Sequence, residues 1–347
     1  SIIGRHGKDA IAVDGLGKGF APDAPQPGFD AIPMWVADME FGVAPEILDE
    51  LRKRIDRRIF GYTGVYTHDY YNSFSKWCKE HYDWSFPEEE LCFTPGIIPA
   101  LYQLTETLCN KDEKVLMNTP AYGYFLHSAE YAGVDVLHSP LKKKPDGTFE
   151  LDYENFEQQC ANPQCKMVFW CNPQNPTGRM WTEEELRRIA AIVEKYNLWI
   201  VSDEIHCDLI RCGRKHIPMA KVMTDYPKLI TCMAPSKTFN LAGLAFSNII
   251  IRDPVLRERF KERDKLFGMV NPMSLTAAKA AYDKGGAWHE ELKQYLDANF
   301  AFVKDFFDKN LPDAVMYIPE ATYLAWVDLS KCLPDVEDLP DFFANKA

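Results

Sequence analysis

The chain has 347 residues, a formal net charge of −12, 46% hydrophobic residues and 26% charged ones. It is too apolar for disorder, long enough for one large domain plus a smaller one, and too acidic for a nucleic-acid surface, which needs clustered Lys and Arg. No apolar run reaches the length of a membrane span and the start, Ser1-Ile2-Ile3-Gly4-Arg5-His6-Gly7, does not read as a signal peptide, so a soluble cytoplasmic protein touching neither membrane nor nucleic acid is expected.

Residues 1–33 are rich in Gly and Pro and read as a mobile N-terminal arm. Gly15-Leu16-Gly17-Lys18-Gly19 lacks the strand and helix that a phosphate loop requires. From about residue 46 helix and strand patterns alternate. Helical periodicity runs over Glu46 to Arg58, Tyr70 to Tyr82 and, after the Thr94-Pro95-Gly96 turn, Ala100 to Leu108. Strands are expected at Lys114–Met117, Val134–Leu137, Met167–Cys171, Leu198–Val201, Leu229–Met233 and Ser247–Ile251, with a helix over Thr182–Tyr196 between two of them. Lys142-Lys143-Lys144, the main basic cluster, precedes Pro145-Asp146-Gly147 and reads as a solvated turn. Beyond about residue 286 the pattern changes to a long helix over Ala287–Lys309, strands at Val315–Ile318 and Tyr323–Val327, and a helix starting near Val336.

Ten scattered cysteines with no Cys-x-x-Cys pair suit reduced thiols. Cys207, Cys212 and His216, with His206 beside them, lack the second ligand pair that zinc motifs bring, and no metal is expected.

Three motifs share one chemical logic. Asn172-Pro173-Gln174-Asn175-Pro176-Thr177-Gly178 is an asparagine turn. Val201-Ser202-Asp203-Glu204 ends an apolar strand in a carboxylate, and Ala234-Pro235-Ser236-Lys237-Thr238-Phe239-Asn240 offers one lysine among small, turn-forming and hydroxyl residues. In that order they are what a pyridoxal 5′-phosphate (PLP) site needs: a lysine that forms a Schiff base with the aldehyde, and a carboxylate that keeps the pyridine nitrogen protonated. Gly96-Ile97-Ile98-Pro99 opens a helix after a turn and can aim free N–H groups at a phosphate dianion. Strands alternating with helices place such groups at strand carboxyl ends in an α/β fold.

These motifs resemble the fold-type I PLP enzymes, the aspartate aminotransferase superfamily. Gly61-Tyr62-Thr63-Gly64 and Thr119-Pro120-Ala121-Tyr122 match as well, and Trp35-Val36-Ala37-Asp38-Met39 and Asp203-Glu204-Ile205-His206 resemble more narrowly the cystathionine β-lyase group of the MalY/PatB and cystalysin type. The resemblance implies a PLP-dependent transferase-like fold: a large domain with a mainly parallel seven-stranded sheet and a smaller α+β domain. The expected division is an N-terminal arm with part of the small domain at 1–45, the PLP-binding domain at 46–286, and the rest of the small domain at 287–347, incomplete at its end.

By the same resemblance Lys237 is the Schiff-base lysine and the base for the α-proton, and Asp203 pairs with the pyridine nitrogen. Asn175 bonds the phenolic oxygen, Tyr122 covers the ring face, and His206 stands near the cofactor. Gly96, Ile97, Ile98 and Ser236 take the phosphate, Tyr62 reaches the phosphate of the other subunit in a homodimer with shared sites, and Val36 and Ala37 face the amino-acid substrate. For Tyr122 and Tyr62 a core role, and for Asp203 a helix cap, remain open at this level. The arginine that the family sets near its C-terminus for the substrate carboxylate has no counterpart here, since the last arginine is Arg263. The reading that follows is a carbon–sulfur β-lyase releasing thiol, pyruvate and ammonia from cystathionine, cystine or a related S-substituted cysteine. An aminotransferase of class I/II, or a PLP-binding regulator, stands as the alternative.

Overall fold

Short runs of Val, Ile, Leu and aromatic residues, able to be buried on both faces, form the seven strands of the main sheet in the computed structural model, which describes residues 2–264 and 269–345. The strands are β1 (Leu91–Thr94), β2 (Lys114–Thr119), β3 (Asp135–Pro140), β4 (Cys165–Cys171), β5 (Trp199–Asp203), β6 (Leu229–Met233) and β7 (Ser247–Ile251). Their order is β1-β7-β6-β5-β4-β2-β3, and only β7 runs against the others, antiparallel to both β1 and β6. Along β4 the side chains alternate between two cores: Met167 and Phe169 pack on one face, Val168 and Trp170 on the other.

Helices cover both faces. They include α1 (Pro45–Asp56), α2 (Asp69–Tyr82), α3 (Ile97–Leu108), α4 (Glu183–Lys195), the short α5 (Pro235–Thr238), α6 (Pro272–Lys284) and α7 (Gly286–Asn310). The start of α4 is fixed by a capping box in which Thr182 Oγ1 accepts from Glu185 N at 3.2 Å and Glu185 Oε2 accepts from Thr182 N at 2.9 Å. Such caps are worth about 1 kcal/mol. His289, Leu292, Leu296 and Phe300 form the buried stripe of α7 at helical spacing. After α7 comes a second, two-stranded antiparallel sheet, β8 (Val315–Met316) with β9 (Val327–Asp328).

The structure corrects the sequence reading at several places: Lys142–Lys143, expected in a solvated turn, pairs as a strand with Phe149–Glu150, and three differences lie toward the termini. Residues 2–33 are tied down rather than loose: Ile3 N donates to Glu40 O at 2.8 Å, Arg5 pairs with Asp38 at 2.7 Å, and Trp35 Nε1 donates to Ala12 O at 3.1 Å, with Ala10, Ala12 and Val13 buried. The strand expected at 323–327 shrinks to Val327–Asp328; within the expected range Leu324 N is taken by Thr322 Oγ1 at 3.1 Å, and the segment before it is held to other parts of the fold. Ala321 N donates to Gly178 O at 3.0 Å, Tyr317 Oη donates to Thr177 O at 2.7 Å, and Ile210 bridges Ala321. The last helix spans Leu339–Asn345 rather than starting near Val336. Residues 1, 265–268, 346 and 347, which the expected ranges 1–45, 46–286 and 287–347 include, lie outside the described residues.

Candidate active site

The carboxyl ends of the parallel strands lie along one edge of the main sheet, and β1, β2, β4, β5 and β6 each deliver a polar or turn-forming group there. Asp203 is the last residue of β5, Asn175 follows β4, and Ser236 and Lys237 sit on α5 just beyond β6. Gly96 follows β1 at the head of α3, and Tyr122 follows β2. Because β7 is antiparallel, its first residue, Ser247, arrives at the same edge, paired in register with Thr94 at the end of β1. These groups, with Ala37, Ile97, Ile98 and His206, line one cavity of about 250 Å³. Ligands of open α/β sheets bind at this edge.

Lys237 Nζ donates to Ala37 O at 2.7 Å. Burial lowers its pKa from the ordinary lysine value, opposed by the charges of Asp38 and Asp203. Asp203 is 6% exposed, accepts from Ile205 N at 3.1 Å, and belongs to no ion pair among the described residues. Burial pushes its pKa up to about 7; Glu204 adds to the rise, whereas the Ile205 N–H and Lys237 act against it. His206 lies in the same layer, its pKa brought down to about 3 chiefly by burial and further by Lys237. Its Nε2 is 3.5 Å from Asn175 Nδ2, and its buried Nδ1 has no hydrogen-bond partner among the described residues. Burial raises the Tyr122 phenol to about 12, so it is neutral at physiological pH.

The loop carrying Asn175 is rigidly built. Asn172 N donates to Asp203 O at 2.9 Å, Gln174 Nε2 donates to Pro120 O at 2.7 Å, and Gln174 Oε1 accepts from Thr177 N at 2.9 Å. Gly178 closes it with φ +71°, where a Cβ would come within 2.4 Å of the Pro319 Cβ. A side chain there is excluded by both backbone conformation and space.

At the head of α3 the first N–H groups have no intrahelical partner, as at any helix start, and they open onto the cavity beside Ser236. The site thus presents an anion cradle at one end, a desolvated carboxylate without a cation in the middle, and a buried amine alongside. That donor set fits PLP: phosphate on the α3 amides and Ser236, protonated ring nitrogen against Asp203, aldehyde toward Lys237.

Of the residues expected from sequence, Gly96, Ile97, Ile98, Tyr122, Asn175, Asp203, His206, Ser236, Lys237 and Ala37 meet in the cavity. Val36 does not line it, its carbonyl accepting from Asp38 N at 2.8 Å. Tyr62 is 96% exposed and is not brought to the cavity of its own chain. Sequence reasoning missed Tyr323. Its hydroxyl donates to the same Ala37 carbonyl as Lys237, at 2.9 Å, and its ring meets His206 edge-on at 6.0 Å. The one signal was an isolated tyrosine in Ala321-Thr322-Tyr323-Leu324-Ala325-Trp326, indistinguishable there from a strand residue.

A family model described as aminotransferase class I and II matches residues 31–339. Over 332 residues the chain is 38% identical to the cystathionine beta-lyase PatB of Bacillus subtilis (strain 168), covering 94% of this chain and 83% of that protein. Among solved structures, the PLP-bound C-S lyase from Staphylococcus hominis is 41% identical, with a TM-score of 0.90 over 97% of this chain and 84% of that one. Cystalysin from Treponema denticola, whose crystal structure contains PLP, is 33% identical with a TM-score of 0.90, covering 96% of this chain and 84% of that one.

Proposed function

The chain belongs to the aminotransferase class I and II family, and from that premise we propose that it is a PLP-dependent carbon–sulfur β-lyase, converting cystathionine or a related S-substituted cysteine and water to a thiol, pyruvate and ammonia. The observation that carries the chemistry is the meeting of Lys237, Asp203 and Asn175 in one cavity. The choice of lyase over aminotransferase is supported by the likeness to the cystathionine beta-lyase PatB and to the C-S lyase of Staphylococcus hominis.

When bound, PLP supplies an aldehyde that captures amines and a ring that draws electrons from the substrate Cα. Lys237 would hold the cofactor and, with its amine free, would be the base for the substrate Cα proton. Burial lowers its pKa from the ordinary lysine value, a shift toward the unprotonated amine that a base requires. Asp203 holds a proton on the ring nitrogen through its negative charge, and that cation in turn favours the carboxylate form that burial alone disfavours. Asn175 donates to the phenolic oxygen, Tyr122 covers one ring face, and neutral His206 adds packing without adding charge. The α3 amides and the Ser236 hydroxyl hold the phosphate. Ala37 faces the substrate with Tyr323 beside it.

The reading extends to organisation. On this reading 46–286 is the cofactor-binding domain, 1–45 an N-terminal arm with part of a smaller domain, and 287–347 the rest of that smaller domain. Exposed Tyr62 completes the phosphate site of a second copy in a homodimer, and the protein works in the cytoplasm; no described helix is long and apolar enough to cross a membrane.

The deciding experiment supplies cystathionine with no keto acid. Homocysteine, pyruvate and ammonia over many turnovers are expected, whereas a single turnover that leaves pyridoxamine phosphate would make the protein an aminotransferase.

A further inference from the structure

Behind the cavity, on the side of the Lys237 turn away from it, lies a buried carboxylate that the chemistry above does not use. Asp208 is 6% exposed, and its two oxygens gather donors from two helices. Oδ1 accepts from Trp77 Nε1 at 2.9 Å and from the Tyr82 hydroxyl, both on α2; Oδ2 accepts from Thr238 Oγ1 at 2.8 Å, on α5. Its carbonyl is also bonded, 2.6 Å from His289 Nε2 on α7. Thr238 is fully buried and immediately follows Lys237. Asp208 lies five residues beyond Asp203 on one tightly turned loop, in which Cys207 N donates to Glu204 O at 3.0 Å and Leu209 N to His206 O at 2.9 Å.

We propose that Asp208 is a positioning residue that, through the Thr238 hydroxyl, sets the Lys237 turn in register with Asp203. A buried carboxylate costs several kcal/mol unless donors surround it, so apolar residues would fill this space at less cost were filling it the only requirement. A lysine side chain has four rotatable bonds, and the place of its nitrogen therefore depends on how firmly the backbone beneath is held. α5 is a single turn and cannot hold itself. It is fastened from two sides: by Thr238 to Asp208, and by Asn240, whose Nδ2 donates to Met39 O at 2.8 Å and Phe41 O at 3.0 Å. The Asp208 tie joins the lysine to the loop that begins at Asp203, so amine and carboxylate move as one unit.

The inference rests on Lys237 being the cofactor lysine, and that premise is tested separately by borohydride reduction of the wild-type holoprotein and peptide mapping. Attachment elsewhere overturns the premise and the proposal with it, whereas attachment at Lys237 leaves the variants to decide the proposal alone. Thr238→Val removes only the hydroxyl. In its holoprotein kcat for cystathionine should fall about tenfold, as misplacement of a reacting group by a fraction of an ångström does, with KM nearly unchanged. The circular dichroism band of the bound cofactor should change in size or sign, and Thr238→Ser should restore both. Asp208→Asn should act in the same direction if it folds. Wild-type kcat and dichroism in Thr238→Val, whatever its unfolding temperature, would overturn the proposal. So would changes that Thr238→Ser fails to reverse.

Discussion

Asp203 bears the conflict between stability and chemistry most directly. Its place at the end of an apolar strand was legible in the sequence, because Val201-Ser202-Asp203 sets a carboxylate where buried residues should continue. Its protonation was not legible, since that depends on how completely the surrounding elements exclude water. The folded protein binds this proton more tightly than the unfolded chain does, with a folded pKa of about 7. Between about pH 4 and pH 7 the cofactor-free protein therefore loses stability as pH rises, and the loss is complete above pH 7. Asp203→Asn removes that term. The cofactor-free variant should be more stable than wild type at pH 8, by at most about 4 kcal/mol, with the difference fading toward pH 4. Its kcat should drop by on the order of 10²-fold or more, since the charge that supports the ring nitrogen is gone. Denaturant unfolding at both pH values checks the first expectation. Equal stability at pH 8 would mean that Asp203 is better solvated than its burial indicates.

Among the elements, those with a clear period or boundary were readable and those without were not. β6 and β7 match the expected ranges residue for residue, being short apolar runs between polar turns. α6 was missed because its buried side is mostly alanine, Ala277, Ala278, Ala280 and Ala281, which marks an apolar face only weakly even though Lys279 and Asp283 pair on the outer side. α3 starts at Ile97, three residues before its periodic stretch and inside the Gly96-Ile97-Ile98-Pro99 segment that the sequence marked as a helix opening, which brings its amides to the cavity. On the proposed reading the helix head, rather than any basic side chain, is the main anion-binding feature. Ser236→Ala should accordingly weaken PLP binding only three- to tenfold, about the worth of one hydrogen bond. Inorganic phosphate should compete with PLP for the cofactor-free protein. Fluorescence titration measures both, and a hundredfold loss in Ser236→Ala would instead make the hydroxyl the principal phosphate contact.

For the molecule as a whole, the sequence disclosed which residues cluster but not which chain they serve. Tyr62 and Tyr66 are 96% and 89% exposed, among a run that includes exposed Ile59 and Phe60. No local pattern separates a tyrosine awaiting a second copy from one merely solvated. If Tyr62 completes a neighbour's site, inactive Tyr62→Phe and Lys237→Ala proteins should recover some activity when mixed under subunit exchange, because one of the two mixed sites is then intact. Sedimentation should show a dimer. No recovery despite proven exchange would assign Tyr62 to its own subunit or to none. The bonds from Tyr317 and Ala321 to Thr177 and Gly178 carry a different consequence, one of timing. A ribosome releases the Asn175 loop long before it makes the segment that clasps it, a delay on the order of ten seconds at ordinary synthesis rates. Throughout that interval the sheet edge can form while its asparagine loop lacks its outer fastening, so the loop reaches its full set of contacts only after the segment at 317–321 has been made.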